Sequence, residues 1–528
     1  MTGSASFSPA ARGPVWRPAV NPWLITAAVM LATFMEVLDT SISAVALPYI
    51  AGSLSATTDE ATWVLTSYLV SNAIILPASG WLSVYFGRKR FLLTCIVVFT
   101  AASLTCGAAV SLPMLIVSRV IQGAAGGALQ PLSQSILLES FPPEKRGMAM
   151  AAFAIGVVVA PIIGPTLGGW LTDNYSWRWA YYINLPVGLL AVLLINLLVE
   201  DPPYIRKARP RKIDGVGFGL MALGLAALQI MLDKGQELDW LASTWIRWLA
   251  GISAVSLIAF VIRELTTPEP IVNLRVFTNR NFAVGTFLVT LLGVVLYSAV
   301  TLQPLYLQTM MGYSALLAGW AVSPRGLGAL MAMPIVGMLT SRLDMRKLIG
   351  VGFILFALSM YMLSDINLQI TAWSIAWPTY WTGVGMGCAF VPLATLTMGD
   401  LPEEDMGNAA GLFNLQRNIG GSIGISVTTT LLARGAQSYQ ASMAGQLNAA
   451  SMDFQVRLHA LVHALEGHFN AVDALRRSLA TIYGQLLQQS MLKAYVHDFR
   501  ILAIVSVVCF MFVFLLKRVE KRRPMRPH

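Results

Sequence analysis

Three observations predict an all-α membrane protein. The composition is that of a lipid-embedded chain: 56% of the 528 residues are hydrophobic and only 12% charged, whereas a soluble domain is roughly a quarter charged. Apolar stretches close to the ~20 residues needed to cross a hydrocarbon core recur fourteen times. Lys and Arg gather in alternate connections between them, the pattern that sets orientation in a bilayer.

The stretches begin near Trp23, Ala61, Phe91, Leu112, Arg146, Trp177, Gly215, Thr244, Phe282, Ser314, Leu348, Ala372, Gly407 and Ile501; the last, ending near Leu516, is the shortest. Residues 1–21 read as a short tail. Arg12 and Arg17 precede an apolar segment too long for a signal-peptide core, interrupted by Glu36 and Asp39 and lacking a small-residue cleavage site, so an uncleaved first span is expected. Gly is frequent, at 43 residues, and falls mostly inside apolar runs, as where membrane helices approach closely. Cys95, Cys106, Cys388 and Cys509 also lie in apolar runs, without paired or metal-like spacing; they read as small core thiols.

Orientation follows from the basic residues. One side collects Arg88, Lys89 and Arg90, then Lys145 and Arg146, the linker 206–212, Arg275 and Arg280, residues 342–347, and the tail 517–526. The other side's short loops hold almost none, Arg178 and Lys234 excepted, so both termini are expected in the cytoplasm. The net charge of +10 is mostly this bias, and a nucleic-acid partner is not needed to explain it.

An internal repeat divides the chain. Gly80-Trp81-Leu82 with Arg88-Lys89-Arg90 after the second span answers Gly337-Met338-Leu339 with Arg346-Lys347 after the tenth. Ala160, Gly164 and Gly168 correspond to Gly420, Gly424 and Thr428 at an offset of 260. The expected organisation is a six-helix bundle over 22–199, a basic linker over 200–213, an inserted helix pair over 214–265 and a second six-helix bundle over 266–516. Parallel six-helix repeats are a known transporter plan. Within the second bundle, residues 434–498 form one large segment on the outer face, rich in Gln, Ala and Leu and free of Pro; apolar spacing predicts two or three amphipathic helices there. His459 and His463 stand one turn apart in it, as metal ligands or as solvated helix-face residues.

The chemistry begins in the first span, where Glu36 and Asp39 lie in apolar sequence. Intramembrane carboxylates are expensive and mark ion or substrate pathways. Asp39 belongs to the run Leu38-Asp39-Thr40-Ser41-Ile42-Ser43-Ala44-Val45-Ala46-Leu47-Pro48. Further runs are Gly80 to Lys89, Leu115-Ile116-Val117-Ser118-Arg119-Val120-Ile121-Gln122-Gly123, Ala160-Pro161-Ile162-Ile163-Gly164-Pro165-Thr166-Leu167-Gly168-Gly169, and Trp177 to Pro186. Together they resemble the signatures of the fourteen-helix drug:proton antiporters of the major facilitator superfamily (EmrB/QacA type). The resemblance covers most of residues 22–432.

That resemblance implies a major facilitator fold and efflux driven by a proton gradient, with no cofactor. It makes Asp39 the proton-coupling carboxylate, assisted by Arg119; Glu36, three residues before Asp39 on nearly the same helix face, is expected to tune the proton site or to offer a second negative charge to cationic cargo. An Arg in mid-helix stays charged and can hold a nearby carboxylate ionised. Asp39 and Arg119 both fall about 10–14 Å below the outer surface at 1.5 Å rise per residue, so they can meet. Gly80, Gly87, Arg88 and Lys89 take the place of the family's gating loop, but Val84 and Tyr85 replace its acidic and basic residues. Gly164, Pro165, Gly168 and Gly169 take that of its antiporter signature, the small residues giving one smooth face and the prolines permitting bends. Gln122, Gln130, Tyr297, Gln303, Trp377, Tyr380 and Trp381, polar or aromatic within spans, are the expected substrate cavity. Arg325 and Arg417 are mid-membrane cations with no carboxylate in their own helices; their partners must be other helices, backbone carbonyls or an anionic substrate.

The leading expectation is therefore a multidrug efflux antiporter of the cytoplasmic (inner) membrane, the pump of a tripartite exporter. Its segment 434–498 would dock a periplasmic membrane-fusion adaptor that leads to an outer-membrane channel, or else form a mobile cap over the outer mouth. The alternatives are a same-fold exporter of a metabolite, fatty acid or siderophore, and a receptor or membrane enzyme. Against an enzyme, no Ser-His-Asp, metal-ligand or phosphate-loop arrangement stands out, and all five His lie at or after His459.

Overall fold

A computed structural model describes residues 18–202, 214–445, 447, 451–466 and 468–518. Most of both expected tails and the linker 206–212 lie outside the described residues. The first half comprises α1 (Pro22–Ser53), α2 (Thr58–Phe86), α3 (Arg88–Gly107), α4 (Leu112–Gly126), α5 (Leu129–Ser140), α6 (Arg146–Asn174), α7 (Trp179–Tyr182) and α8 (Asn184–Leu198). The inserted pair is α9 (Gly215–Lys234) and α10 (Thr244–Thr266). The second half comprises α11 (Arg280–Thr309), α12 (Ala315–Val322), α13 (Pro324–Leu339), α14 (Met345–Leu363), α15 (Ala372–Gly399), α16 (Met406–Ala444), α17 (Met452–Glu466) and α18 (Ala471–Val513). No strand occurs among the described residues.

Local chemistry sets the helix ends. Asn21 accepts from the Trp23 amide ahead of Pro22, so α1 starts with a capped first turn. Thr57 and Glu60 form a reciprocal capping box at α2. Gly87 links α2 to α3 at φ +85°, a conformation glycine adopts without a Cβ clash. Two spans are broken within the bundle. The fourth parts into α4 and α5 near Gly126–Gly127, and the tenth parts into α12 and α13 at Ser323–Pro324, where proline has no amide to donate.

Among the described residues, thirteen helical stretches are long and apolar enough to cross a membrane. The remaining expected span, the thirteenth in order and beginning near Gly407, lies in α16, which carries Asn414, Gln416, Arg417 and Asn418 in its first turns. Its polar residues face protein rather than lipid, so hydropathy alone underrates it. The outer segment is helical, and two of its helices continue from the spans. α16 extends past its span to Ala444, α18 begins at Ala471 and continues unbroken through the last span, and only α17 is separate, packed on α18.

The repeat is visible in the packing. α6 lies along α1, and α16 lies along α11. A methyl on Gly164 would meet Ser41 Oγ at 2.3 Å, and one on Gly424 would meet the Val294 carbonyl at 2.5 Å. Small residues at matching places thus let the helices of each pair approach closely. The halves meet directly at the face bearing the basic connections: Gly80 abuts Gly407 and Asn408, and Gly147 abuts Gly337 and Thr340. Toward the opposite face, α9 stands between α2 and α16. Asp233 accepts from Thr66, Lys234 donates to Thr62 at 2.6 Å, Gln229 donates to Ser422 at 2.9 Å, and Trp240 donates to Thr430 at 2.9 Å. α2 and α16 are therefore in contact at one end and held apart at the other.

Candidate functional site

Glu36 and Asp39 are one helical turn apart on α1 and both buried. Asp39 is held by three side chains from two other helices. Arg119 donates to Oδ2 at 2.5 Å, Gln122 to Oδ1 at 2.9 Å, and Asn184 to Oδ1 at 2.7 Å. Arg119 is fully buried; it also donates to the Val64 carbonyl at 3.1 Å and to Gln122 Oε1 at 2.8 Å, and its guanidinium sits 4.1 Å from the Tyr68 ring centre. An arginine so placed keeps its charge, and the attraction across a dry interior is far larger than at a surface. Asn184 is fixed in turn by Ser103 at 2.9 Å.

Glu36 has different partners. Tyr68 and Asn72 donate to Oε1 at 3.2 Å each, and Gln130 donates to Oε2 at 2.6 Å. Close helix approach makes these bonds possible. A methyl on Gly123 would lie 2.4 Å from the Tyr68 carbonyl oxygen, and one on Gly127 would lie 2.5 Å from the Asn72 carbonyl oxygen. The glycines of the broken fourth span therefore bring α2 within reach of α1.

Gln130 also joins the two halves. Its carbonyl accepts from Arg417 on α16 at 2.6 Å, while four residues along α5 the Gln134 carbonyl accepts from Asn414 at 2.6 Å. Glu36 is thus one side chain from the opposite half. Arg417 borders a small cavity between the halves, walled by Val158 of α6, Leu296 and Tyr297 of α11, and Met386 and Phe390 of α15. Arg325, also buried, donates to Gln303 at the start of α13.

The expected site residues thus fall into separate groups. Glu36, Asp39, Arg119, Gln122 and Gln130 form one continuous network, in which Gln122 and Gln130 serve the carboxylates directly. Tyr297 and Arg417 border the cavity. Gln303 and Arg325 pair with each other. On α15, Trp377 and Tyr380 stack with centres 6.2 Å apart and Trp381 meets both edge-on; none of the three is among the cavity's lining residues. At the basic face, Arg88 pairs with Glu139 at 2.5 Å in a buried bridge, and the Lys89 amide donates to Asp201 at 2.8 Å. Gly164 and Gly168 face α1, while Gly169 meets open space and Pro165 is exposed.

Sequence reading did not single out Tyr68, Asn72, Glu139 or Asn184 as site residues. A signal exists for Tyr68 and Asn72, polar groups four apart and hence on one face of the second span. For Glu139 the only sequence cue is a carboxylate near a span's end.

The description of the Major Facilitator Superfamily matches residues 29–425. The chain belongs to that superfamily. Within this superfamily it is 44% identical over 407 residues to the multidrug export protein EmrB of Haemophilus influenzae, covering 77% of this chain and 79% of that one. It is 40% identical over 445 residues to the EmrB of Escherichia coli K12, covering 84% and 86%. With the fatty acid resistance protein FarB of Neisseria gonorrhoeae it shares 40% identity over 423 residues, covering 80% and 82%. Among solved major facilitator structures, the proton:xylose symporter XylE superposes with a TM-score of 0.60 at 14% identity, over 94% of this chain and 96% of that one; this likeness concerns the fold.

Proposed function

We propose that this multi-pass membrane protein is a proton-driven exporter of hydrophobic or amphiphilic compounds. The observation that carries the reading is the buried network itself: two carboxylates on one membrane helix, one ion-paired with Arg119 and the other linked through Gln130 to the opposite half. Protonating Asp39 removes the charge that Arg119, Gln122 and Asn184 are arranged to hold, so the contacts among α1, α4 and α8 change with proton occupancy. Proton entry can then bias which face of the bundle opens, as alternating access requires. The high identity to proteins named for multidrug export supports this cargo class. The name of FarB keeps fatty acids open as a narrower second reading.

By the basic-residue bias the face where the halves meet is cytoplasmic, as are both termini, and the membrane is the cytoplasmic one. The described conformation is then closed toward the cytoplasm. In this reading the extended α16–α17–α18 hairpin faces outward and docks a periplasmic adaptor leading to an outer-membrane channel. The direct test places purified protein in liposomes with an imposed pH gradient and follows dye efflux and proton flux together. Gradient-dependent substrate movement with coupled proton flux is expected; movement indifferent to the gradient overturns the reading.

A further inference from the structure

Arg417 has no carboxylate in direct contact; the nearest counter-charge, Glu36, acts on it from across Gln130. The Arg417 side chain is 4% exposed, and it makes no ion pair among the described residues. One terminal nitrogen donates to Gln130 at 2.6 Å and, at 3.5 Å, to Asn418. Its Nε, also buried, has no hydrogen-bond partner among the described residues. Arg119 at a comparable burial has a carboxylate, a backbone carbonyl and an amide around it. A buried guanidinium short of acceptors is unfavourable by itself and takes up an anion with a large gain.

The surroundings specify what kind of anion. Arg417 is the one charged residue lining the cleft between the halves, and the remaining wall is apolar apart from Tyr297. Its guanidinium carbon lies 5.9 Å from the Phe390 ring centre, leaving an aromatic face beside the charge. Glu36, the carboxylate tied to this site through Gln130, has three donors of its own and is not among the lining residues. A ligand entering here meets a cation first, with hydrophobic walls around it.

We propose that Arg417 binds the anionic head of amphiphilic organic acids in this cavity, making organic anions the preferred cargo over cations of equal apolar size. The head would take the fork of Arg417, including the unpartnered Nε, in place of Gln130, and the apolar body would lie against Phe390, Met386 and Leu296. The proposal rests on the export reading for its physiological meaning, but binding tests it independently.

The experiment uses the full chain in lipid nanodiscs and two probes with one aromatic body and opposite permanent charges, naphthalene-2-sulfonate and 2-naphthyl-trimethylammonium. Equilibrium dialysis against empty nanodiscs measures binding. Wild type is expected to prefer the sulfonate by about tenfold or more. Arg417→Gln should weaken sulfonate binding by about ten- to a hundredfold, the scale of hydrogen bonds to a charged group, while ammonium binding rises. Arg417→Lys keeps the charge without the fork and should fall between. Preference of the wild type for the ammonium probe overturns the proposal, a result that needs no variant to fold. Equal sulfonate binding by wild type and Arg417→Gln, or a parallel loss of both probes, overturns it too. If Arg417-dependent sulfonate binding is found but no pH gradient moves any compound, the anion site stands and the export reading fails.

Discussion

Arg119 and Asp39 stand 80 residues apart in sequence, yet their side chains meet at 2.5 Å with neither exposed to solvent. Gln122 and Asn184 hold the carboxylate, and Val64 and Tyr68 hold the guanidinium. Such a pair is poorly explained as a stabilising device, since hydrophobic residues of equal volume often do as well. A change of charge at one partner is its more natural use.

Asp39→Asn is expected to reduce pH-gradient-driven efflux in liposomes to the level of protein-free vesicles, with membrane insertion intact. It should also lower thermal stability, because an uncompensated buried Arg119 costs about 3–5 kcal/mol. The double variant Asp39→Asn, Arg119→Gln should melt above the Asp39→Asn single. Additive losses would mean that the two residues do not act as a pair.

Glu36→Gln leaves one carbonyl oxygen to serve Tyr68, Asn72 and Gln130 and turns an amide donor toward them. Export of cationic compounds is expected to fall more than export of neutral ones, measured in the same vesicles. Equal loss for both would assign Glu36 a plain protonation or structural role.

The glycines of α6 separate packing from openness. Gly164→Ala places a methyl 2.3 Å from Ser41 Oγ, whereas Gly169→Ala meets nothing within 4 Å. The first should lose about 1–3 kcal/mol through overpacking and slow transport. The second should change melting and transport little. Similar behaviour of the two variants would show that the α1–α6 contact does not limit function.

Asp344 caps α14 and receives Arg346 at 2.9 Å, and that hydrogen bond holds its carboxyl below the usual carboxylate range. A depressed folded-state value contributes stability above the unfolded value, near 4, and loses it as pH falls through the folded value. Asp344→Ala should therefore melt below wild type at neutral pH, and the gap should close as the solution is acidified below about pH 4. A gap independent of pH would contradict this account.

The outer hairpin can be removed where its two arms touch, since Ser490 lies 3.7 Å from Met443. Replacing 444–489 by a short glycine turn keeps the contact of Tyr495 with Tyr306 and Thr309. Adaptor co-purification should be lost while transport by the pump alone in liposomes persists. Undiminished adaptor binding would place the docking surface elsewhere.

Much of this molecule is written locally in its sequence. Span lengths, the basic bias of alternate connections and the repeat at an offset of 260 follow from hydropathy and charge along the chain, because lipid forces each crossing helix to satisfy its own backbone. Even the meeting of Asp39 with Arg119 was readable, since rise per residue places both at one depth. Which helices become neighbours is not local. Tyr68, Asn72 and Gln130 gather on Glu36 only because Gly123 and Gly127 let α2 close on the broken fourth span. Arg417 reaches Gln130 across the halves, and α9 lodges between α2 and α16, through contacts spanning hundreds of residues. Hydropathy fixes how deep a residue sits; the rotation and packing of whole helices decide what it faces.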